Sequence, residues 1–384
     1  MATIFTGNDY NGVSLTNDNE DWETAEGDVV AGTFTGFDFN AVQNASYTLH
    51  GYLFAELFDG IAADAGSSNL SILIGTTGLV HGAFQGIDLD GSGHDIVNNG
   101  TIVGSTFGAV GIHGDDILLT NNGVIQGAQD GVVVDILDTE KARVINTGFI
   151  TGADSAINVR GGNNTLVNSG LLSSEIGIDI DTSAGERTKI TNTGTIASTD
   201  VGSGTSPYFL AKAIHASGGN EIIVNNGQIS GSIVLGSGND KYVGKNGSVD
   251  GEVHGEDGRD QLTGGASDDV FYGGEGRDVL SGLGGDDVLN GGRGVDQLTG
   301  GGGEDVFVFG ADSGSDIVFD FAQGTDMIDL IDLEVDFAAV RAVTTVEGDS
   351  TFINLNQLGG LGRVEFRDFT DGFTSADFVL DEIA

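Results

Sequence analysis

Residues Gly255 to Val308 read GEDGRDQLT GGASDDVFY GGEGRDVLS GLGGDDVLN GGRGVDQLT GGGGEDVFV, six consecutive blocks of nine. The sixth position is aspartate in every block: Asp260, Asp269, Asp278, Asp287, Asp296 and Asp305. The eighth is apolar in every block: Leu262, Phe271, Leu280, Leu289, Leu298 and Phe307. An outlying copy, LGSGNDKYV at residues 235–243, brings Asp240 into the same position. A short fixed period marks a solenoid, because one such unit cannot bury an apolar face without stacked neighbours. The glycine-rich half of each block turns sharply and exposes backbone carbonyls, and the apolar eighth residue sits on a short strand and points inward. Carbonyl and carboxylate oxygens together are what a hard cation with six to eight ligands requires.

This GGxGxDxUx pattern resembles the RTX calcium-binding repeats of proteins secreted by Gram-negative bacteria. The resemblance implies a β-roll in which two nonapeptides make one turn, so that residues 18 apart stack. Asp260, Asp278 and Asp296 then line one side, and Asp269, Asp287 and Asp305 the other. Ca2+ is the implied cofactor, held between vertical neighbours at roughly four interior sites. Asp240 joins these six as a metal ligand in register before the array.

A longer repeat fills most of the chain before this array. It reads NNGTI at Asn98, NNGVI at Asn121, NTGFI at Asn146, NSGLL at Asn168, NTGTI at Asn192 and NNGQI at Asn225, with a weaker TTGLV at Thr76. The marker glycines are Gly78, Gly100, Gly123, Gly148, Gly170, Gly194 and Gly227, spaced by 22, 23, 25, 22, 24 and 33 residues. Short apolar runs between them, such as GVVVDI and IGIDI, suit strands. Units of this length with three short strands resemble a right-handed parallel β-helix, as in polysaccharide lyases and bacterial surface adhesins. The recurrent asparagine is expected to form an internal ladder, each amide bonding to the next coil. The 33-residue gap holds an insertion over residues 199–212 with Pro207, Tyr208 and Phe209, a position open to a binding feature or a neutral loop.

Past the array, GADSGSDIVFDFAQGTDMIDL (residues 310–330) resembles the segment that closes the roll in secreted RTX proteins such as the serralysin proteases. The terminal SADFVLDEIA resembles the uncleaved signal read by type I exporters of the ABC-transporter class. The expected fold class is all-β: a parallel β-solenoid with three strands per coil, followed by a calcium-bound RTX parallel β-roll. The expected division is an N-terminal β cap (1–45), a parallel β-helix (46–234), the roll (235–308), and a closing segment with the export signal (309–384).

Composition narrows the function. The 384 residues include 66 Gly, one Pro and no Cys, and 58 acidic residues against 14 basic ones give a net charge of -44. Such a charge excludes nucleic acid as a partner and disfavours anionic membranes. No apolar stretch is long enough to span a bilayer. The start, MATIFTGNDYNG, lacks the basic and apolar regions of a cleavable secretory signal, so the expectation is an extracellular or cell-surface protein exported without one. Catalytic motifs are absent: no HExxH, no GxSxG, and VGKNGS at Val243 lacks P-loop spacing. The expected function is a secreted calcium-binding structural or adhesive protein that associates with itself or with a cell-surface or polysaccharide partner. The alternative is a secreted polysaccharide-modifying enzyme, a uronan lyase or an enzyme resembling the mannuronan C5-epimerases. Its catalytic candidates are Asp88, His94, Asp95, His113 and Asp115, with Asp90 and Asp116 beside them.

Overall fold

The computed structural model describes residues 3–5, 13–15, 21–32, 36–136, 140–200 and 211–380. Pro207, Tyr208 and Phe209 of the insertion, and the last four residues of the export signal, lie outside the described residues. The chain divides into two compact units, residues 1–219 and 220–384. It is a parallel β-solenoid.

In the first unit each coil contributes one strand to each of three parallel stacks. One stack runs through Ser71–Ile74, Asp95–Asn98, Ile117–Asn121, Ala142–Asn146 and Asn163–Asn168. A second runs through Tyr52–Ala55, Leu79–Gly82, Thr101–Gly104 and Val124–Gln126. The third runs through Ile61–Ala63, Ile87–Leu89, Val110–Ile112 and Asp130–Asp135. The described strands nearest the N-terminus pair in the same parallel sense, Thr3–Phe5 with Asp21–Thr24 and Val13–Leu15 with Phe37–Phe39. Register places like on like: Leu53, Val80, Ile102, Ile125, Ile150, Leu172 and Ile196 form one unbroken column. All seven are fully buried, and each side chain removed from water contributes about 1.5–3 kcal/mol.

The marker motif explains itself at the turn between the first two stacks. A Cβ on Gly123 would lie 2.1 Å from the carbonyl oxygen of Gly100, and one on Gly148 the same distance from Gly123. Only glycine allows the coils to stack this closely. The asparagine two residues earlier points inward and forms the expected ladder: Asn98 donates to Asn121 (2.7 Å), Asn121 to Asn146 (2.8 Å), Asn146 to Asn168 (2.8 Å) and Asn168 to Asn192 (2.9 Å). Earlier coils carry Ile74 and Leu49 at this position, and the column there is apolar.

The second unit begins with three-strand coils: Ile222–Asn225, Gln228–Ser230 and Ser232–Val234 pair with Lys241–Val243, Ser248–Val249 and Val253–Gly258. From Gly255 onward the coil shortens to 18 residues and the middle strand drops out. Val270–Gly276 pairs with Val288–Gly294, and Val279–Gly284 with Gln297–Gly302, each in parallel. The six eighth-position residues are fully buried in two facing columns. Ile317–Val318 and Met327–Asp329 extend the two stacks. A short helix, Phe337–Ala342, and an antiparallel hairpin, Thr344–Glu347 with Ser350–Ile353, follow. Phe309, Phe321, Phe366, Phe369 and Phe373 cluster edge to face against the last coil.

Candidate calcium site

Every nonapeptide aspartate but Asp269 is anchored to the coil before it. The carboxylate Oδ1 of Asp278 accepts from the backbone N–H of Asp260 at 2.8 Å, and that of Asp296 from Asp278 at 2.8 Å. On the other side Asp287 accepts from Asp269 at 2.8 Å, and Asp305 from Asp287 at 3.0 Å. Asp240 belongs to the first column, donating its N–H to Asp260 at 2.8 Å. One oxygen per carboxylate is therefore committed to holding the side chain in place.

The second oxygen is the informative one. Oδ2 of Asp240, Asp260, Asp278, Asp287, Asp296 and Asp305 is buried with no hydrogen-bond partner. Buried acceptors are almost always satisfied, so a column of orphans calls for a ligand. These oxygens press against the first glycine of their own block: a Cβ on Gly282 would meet Asp287 Oδ2, and one on Gly273 would lie 2.6 Å from Asp278 Oδ2 and 2.4 Å from the Gly291 carbonyl. The absent side chain leaves carboxylate and carbonyl oxygens facing a common space. Among the described residues no three acidic or imidazole groups converge, so a cation here would take one carboxylate oxygen per turn and draw the rest from backbone carbonyls.

The electrostatics agree. Burial, the largest cause in each case, raises Asp240 and Asp278 to about 6, and Asp260, Asp287 and Asp296 to about 7. Stacked neighbours push several of them further: Asp240 and Asp278 act on Asp260, and Asp269 and Asp305 on Asp287. A divalent cation reverses both penalties. The residues present fit Ca2+.

Asp269 departs from the set. Its Oδ2 accepts from the Gly265 N–H at 3.0 Å, and its block carries Ser267 where the other five have glycine or its turn equivalent at the fourth position. Gly258, Gly276, Gly285, Gly294 and Gly303 at that position all have positive φ, a conformation serine avoids. The turn is rebuilt, and the orphan oxygen is lost.

The structure also adds carboxylates beyond the nonapeptides. Asp316 Oδ1 accepts from Asp296 N–H at 3.0 Å, and Asp326 Oδ1 from Asp305 at 3.3 Å. Burial raises Asp316 to about 8, and its Oδ2 has no hydrogen-bond partner. Both are followed two residues later by a buried apolar side chain, Val318 and Ile328, the same spacing as in the blocks.

Comparison with known families matches residues 250–280 and 281–316 to the RTX calcium-binding nonapeptide repeat (4 copies). Residues 250–316 are RTX repeats. No curated protein matches the chain. Among solved structures, the extracellular lipase LipA from Serratia marcescens is similar at 17% identity and a TM-score of 0.23, over 51% of this chain. The chain spans 45% of that lipase.

Outside the RTX repeats, the acid and imidazole candidates of residues 88–116 separate. His94 is buried, its Nδ1 accepting from Leu70 N–H (3.2 Å) and its Nε2 bonded to the Asp90 carbonyl (2.8 Å). Burial holds its pKa below the ordinary histidine value, so the ring is neutral with both nitrogens engaged. His113 instead lies on the outer face, 3.0 Å from Asp88, and this hydrogen bond raises its pKa. Asp95 is exposed at a strand start, Asp115 accepts from Lys141 N–H, and Asp116 pairs with the Lys141 amine at 3.0 Å.

Substitutions within the RTX repeats separate ligand from bystander. Asp278→Ala and Asp287→Ala each remove an orphan oxygen, and Gly282→Ala displaces the carboxylate of Asp287. Each is expected to raise the Ca2+ midpoint of folding roughly tenfold. Asp312 forms only an exposed pair with Arg293, so Asp312→Ala is expected to leave the midpoint nearly unchanged. Calcium titrations followed by circular dichroism read the difference. Equal midpoints for all four variants would remove the aspartate columns from the calcium site.

Proposed function

We propose that this protein is a secreted structural or adhesive component of a bacterial surface or matrix, whose roll sets on Ca2+ outside the cell. The observation that carries the reading is the column of buried aspartate oxygens without hydrogen-bond partners. Such a column suits a compartment where Ca2+ is plentiful, and leaves the chain loosely folded where it is scarce. About four interior ions between stacked aspartates suit the two columns, with the Asp269 position the weakest. Export by an ABC-type transporter through the C-terminal segment follows from the same logic: an unfolded chain threads and then sets.

A chain with a net charge of -44, most of its carboxylates outside the aspartate columns, also supports calcium-bridged association between copies. Light scattering and electron microscopy of the full-length protein in millimolar Ca2+ test this. Filaments, sheets or binding to cells that reverse on chelation are the expected result. A monodisperse monomer that cleaves or epimerises a uronan would replace this reading with the polysaccharide-modifying enzyme, for which the Asp88–His113 pair is the remaining acid–base candidate.

A further inference from the structure

Three phenylalanines occupy one position in three consecutive coils of the first unit. The backbone N–H of Phe84 donates to the Phe58 carbonyl (3.2 Å), and that of Phe107 to the Phe84 carbonyl (3.3 Å). Their rings follow one another at centroid distances of 6.2 and 4.7 Å. They remain 45%, 41% and 40% exposed. The coil does not demand an aromatic residue here: the same ladder continues through Gln129, whose N–H donates to Phe107, and Asp154, whose N–H donates to Gln129. Nor does the core need them, since Ile61, Ile87 and Val110 three residues later are already fully buried.

A polar shelf adjoins the rings. Asp88 and His113 form their 3.0 Å pair over Gly111. A Cβ on Gly111 would lie 2.4 Å from the Gln85 amide, 2.7 Å from Asp88 and 2.9 Å from His113. The Gln85 amide also donates to Asp88 at 3.0 Å. Asp59 sits alongside, accepting from the Gln85 N–H at 3.0 Å. Rings and shelf line one open groove of about 540 Å³.

We infer that this groove binds an uncharged polysaccharide, with pyranose rings laid on Phe58, Phe84 and Phe107 and their hydroxyls bonded by Asp59, Gln85, Asp88 and His113. A sugar ring presents an apolar C–H face and a rim of hydroxyls, which matches an aromatic floor beside fixed donors and acceptors. Three rings set one per coil, 6.2 and 4.7 Å apart, suit a polymer running along the solenoid better than a single sugar. Charge selects its class. Asp59, Asp88, Asp130 and Asp135 outnumber His113 and Arg160 around the groove, so a uronan is repelled.

The inference supplies the adhesive reading with a partner and rests on it for the extracellular setting. The test is affinity electrophoresis of the full-length protein with Ca2+ in gels containing hydroxyethylcellulose, dextran, alginate or chitosan. Retardation by a neutral polymer is expected. The double variant Phe84→Ala/Phe107→Ala should weaken it about tenfold or more. Leu171→Ala, at an exposed leucine on another stack, should bind as the parent does. The three residues are solvent-exposed, and unchanged thermal melting confirms that the variants fold. No retardation by either neutral polymer, retardation by alginate or chitosan alone, or full binding by the double variant would each overturn the inference. Light scattering on the same samples keeps the two readings apart, because sugar binding without calcium-dependent association sinks only the assembly reading.

Discussion

In excess chelator, the amide protons of residues 255–330 are expected to exchange at rates near those of an unfolded chain, while residues 95–196 stay protected. Millimolar Ca2+ should restore protection throughout. The contrast comes from the two internal ladders. An asparagine amide carries both a donor and an acceptor, so Asn98, Asn121, Asn146 and Asn168 satisfy one another from coil to coil. An ionised aspartate only accepts. Its Oδ1 takes a backbone N–H, and its Oδ2 is left with none. Carboxylates stacked at the coil rise of about 4.8 Å repel by roughly 1–3 kcal/mol per pair. Four such pairs reach roughly 4–12 kcal/mol, comparable with the stability of a whole domain.

Protonation relieves part of that cost. The calcium-free roll holds Asp278 at about 6 and Asp260 and Asp287 at about 7, above the ordinary 3.8, so it binds more protons than the unfolded chain between these values. Its stability without calcium therefore falls as pH rises through this window. Calcium and protons compete for the same oxygens, and the Ca2+ midpoint is expected to climb as pH drops from 7.5 to 5.5. Exchange mass spectrometry at both pH values, with and without chelator, checks both statements. A roll equally protected with and without chelator at pH 7.5 would contradict them.

The second large effect is expected in the other unit. Asn146→Ala removes the acceptor of Asn121 and the donor to Asn168 in one step. Both partners are buried. Asn121 keeps longer bonds to the Gly123 and Phe149 carbonyls, so one good bond is lost and one buried acceptor, Asn168 Oδ1, is left unpaired. This costs about 1–3 kcal/mol and lowers the melting temperature of a unit of this size by roughly 2–12 °C. Asn122→Ala, one residue into an exposed turn, should change it by about 2 °C or less. Differential scanning calorimetry in saturating Ca2+ measures both. Equal shifts for the two variants would show that the ladder adds nothing to stability.

Much of this was legible from residue spacing. The RTX resemblance implies the 18-residue stacking seen between Val279 and Gln297, and the Asn-x-Gly spacing places the amide ladder, because both rest on contacts between equivalent positions. Asp316 and Asp326 were not placed in the columns, since they follow Asp296 and Asp305 at 20 and 21 residues, outside the nonapeptide period. The aspartate followed two residues on by an apolar residue was the signal that could have found them. Asp269 was grouped with the rest, although Ser267 in its turn marked the difference. His94 and His113 lie about one coil apart in sequence, but one ring is buried and the other faces outward. The phenylalanine groove was hidden for a related reason: Phe58, Phe84 and Phe107 are 26 and 23 residues apart, and only strand register aligns them.

The two-column arrangement has a bearing on how such a chain changes length. Excising Gly273 to Asn290 would join Tyr272 to Gly291 and leave every remaining residue on its own side, with the Asp260 N–H meeting Asp296 where it now meets Asp278. Excising the first block alone would exchange the two sides for everything downstream, setting the altered Asp269 turn into the other column and putting the closing aspartates out of step. Duplication and loss in the coding sequence are thus tolerated in even numbers of blocks and penalised in odd ones. The roll behaves as a ruler graduated in whole turns, a parity rule imposed by its cross-section.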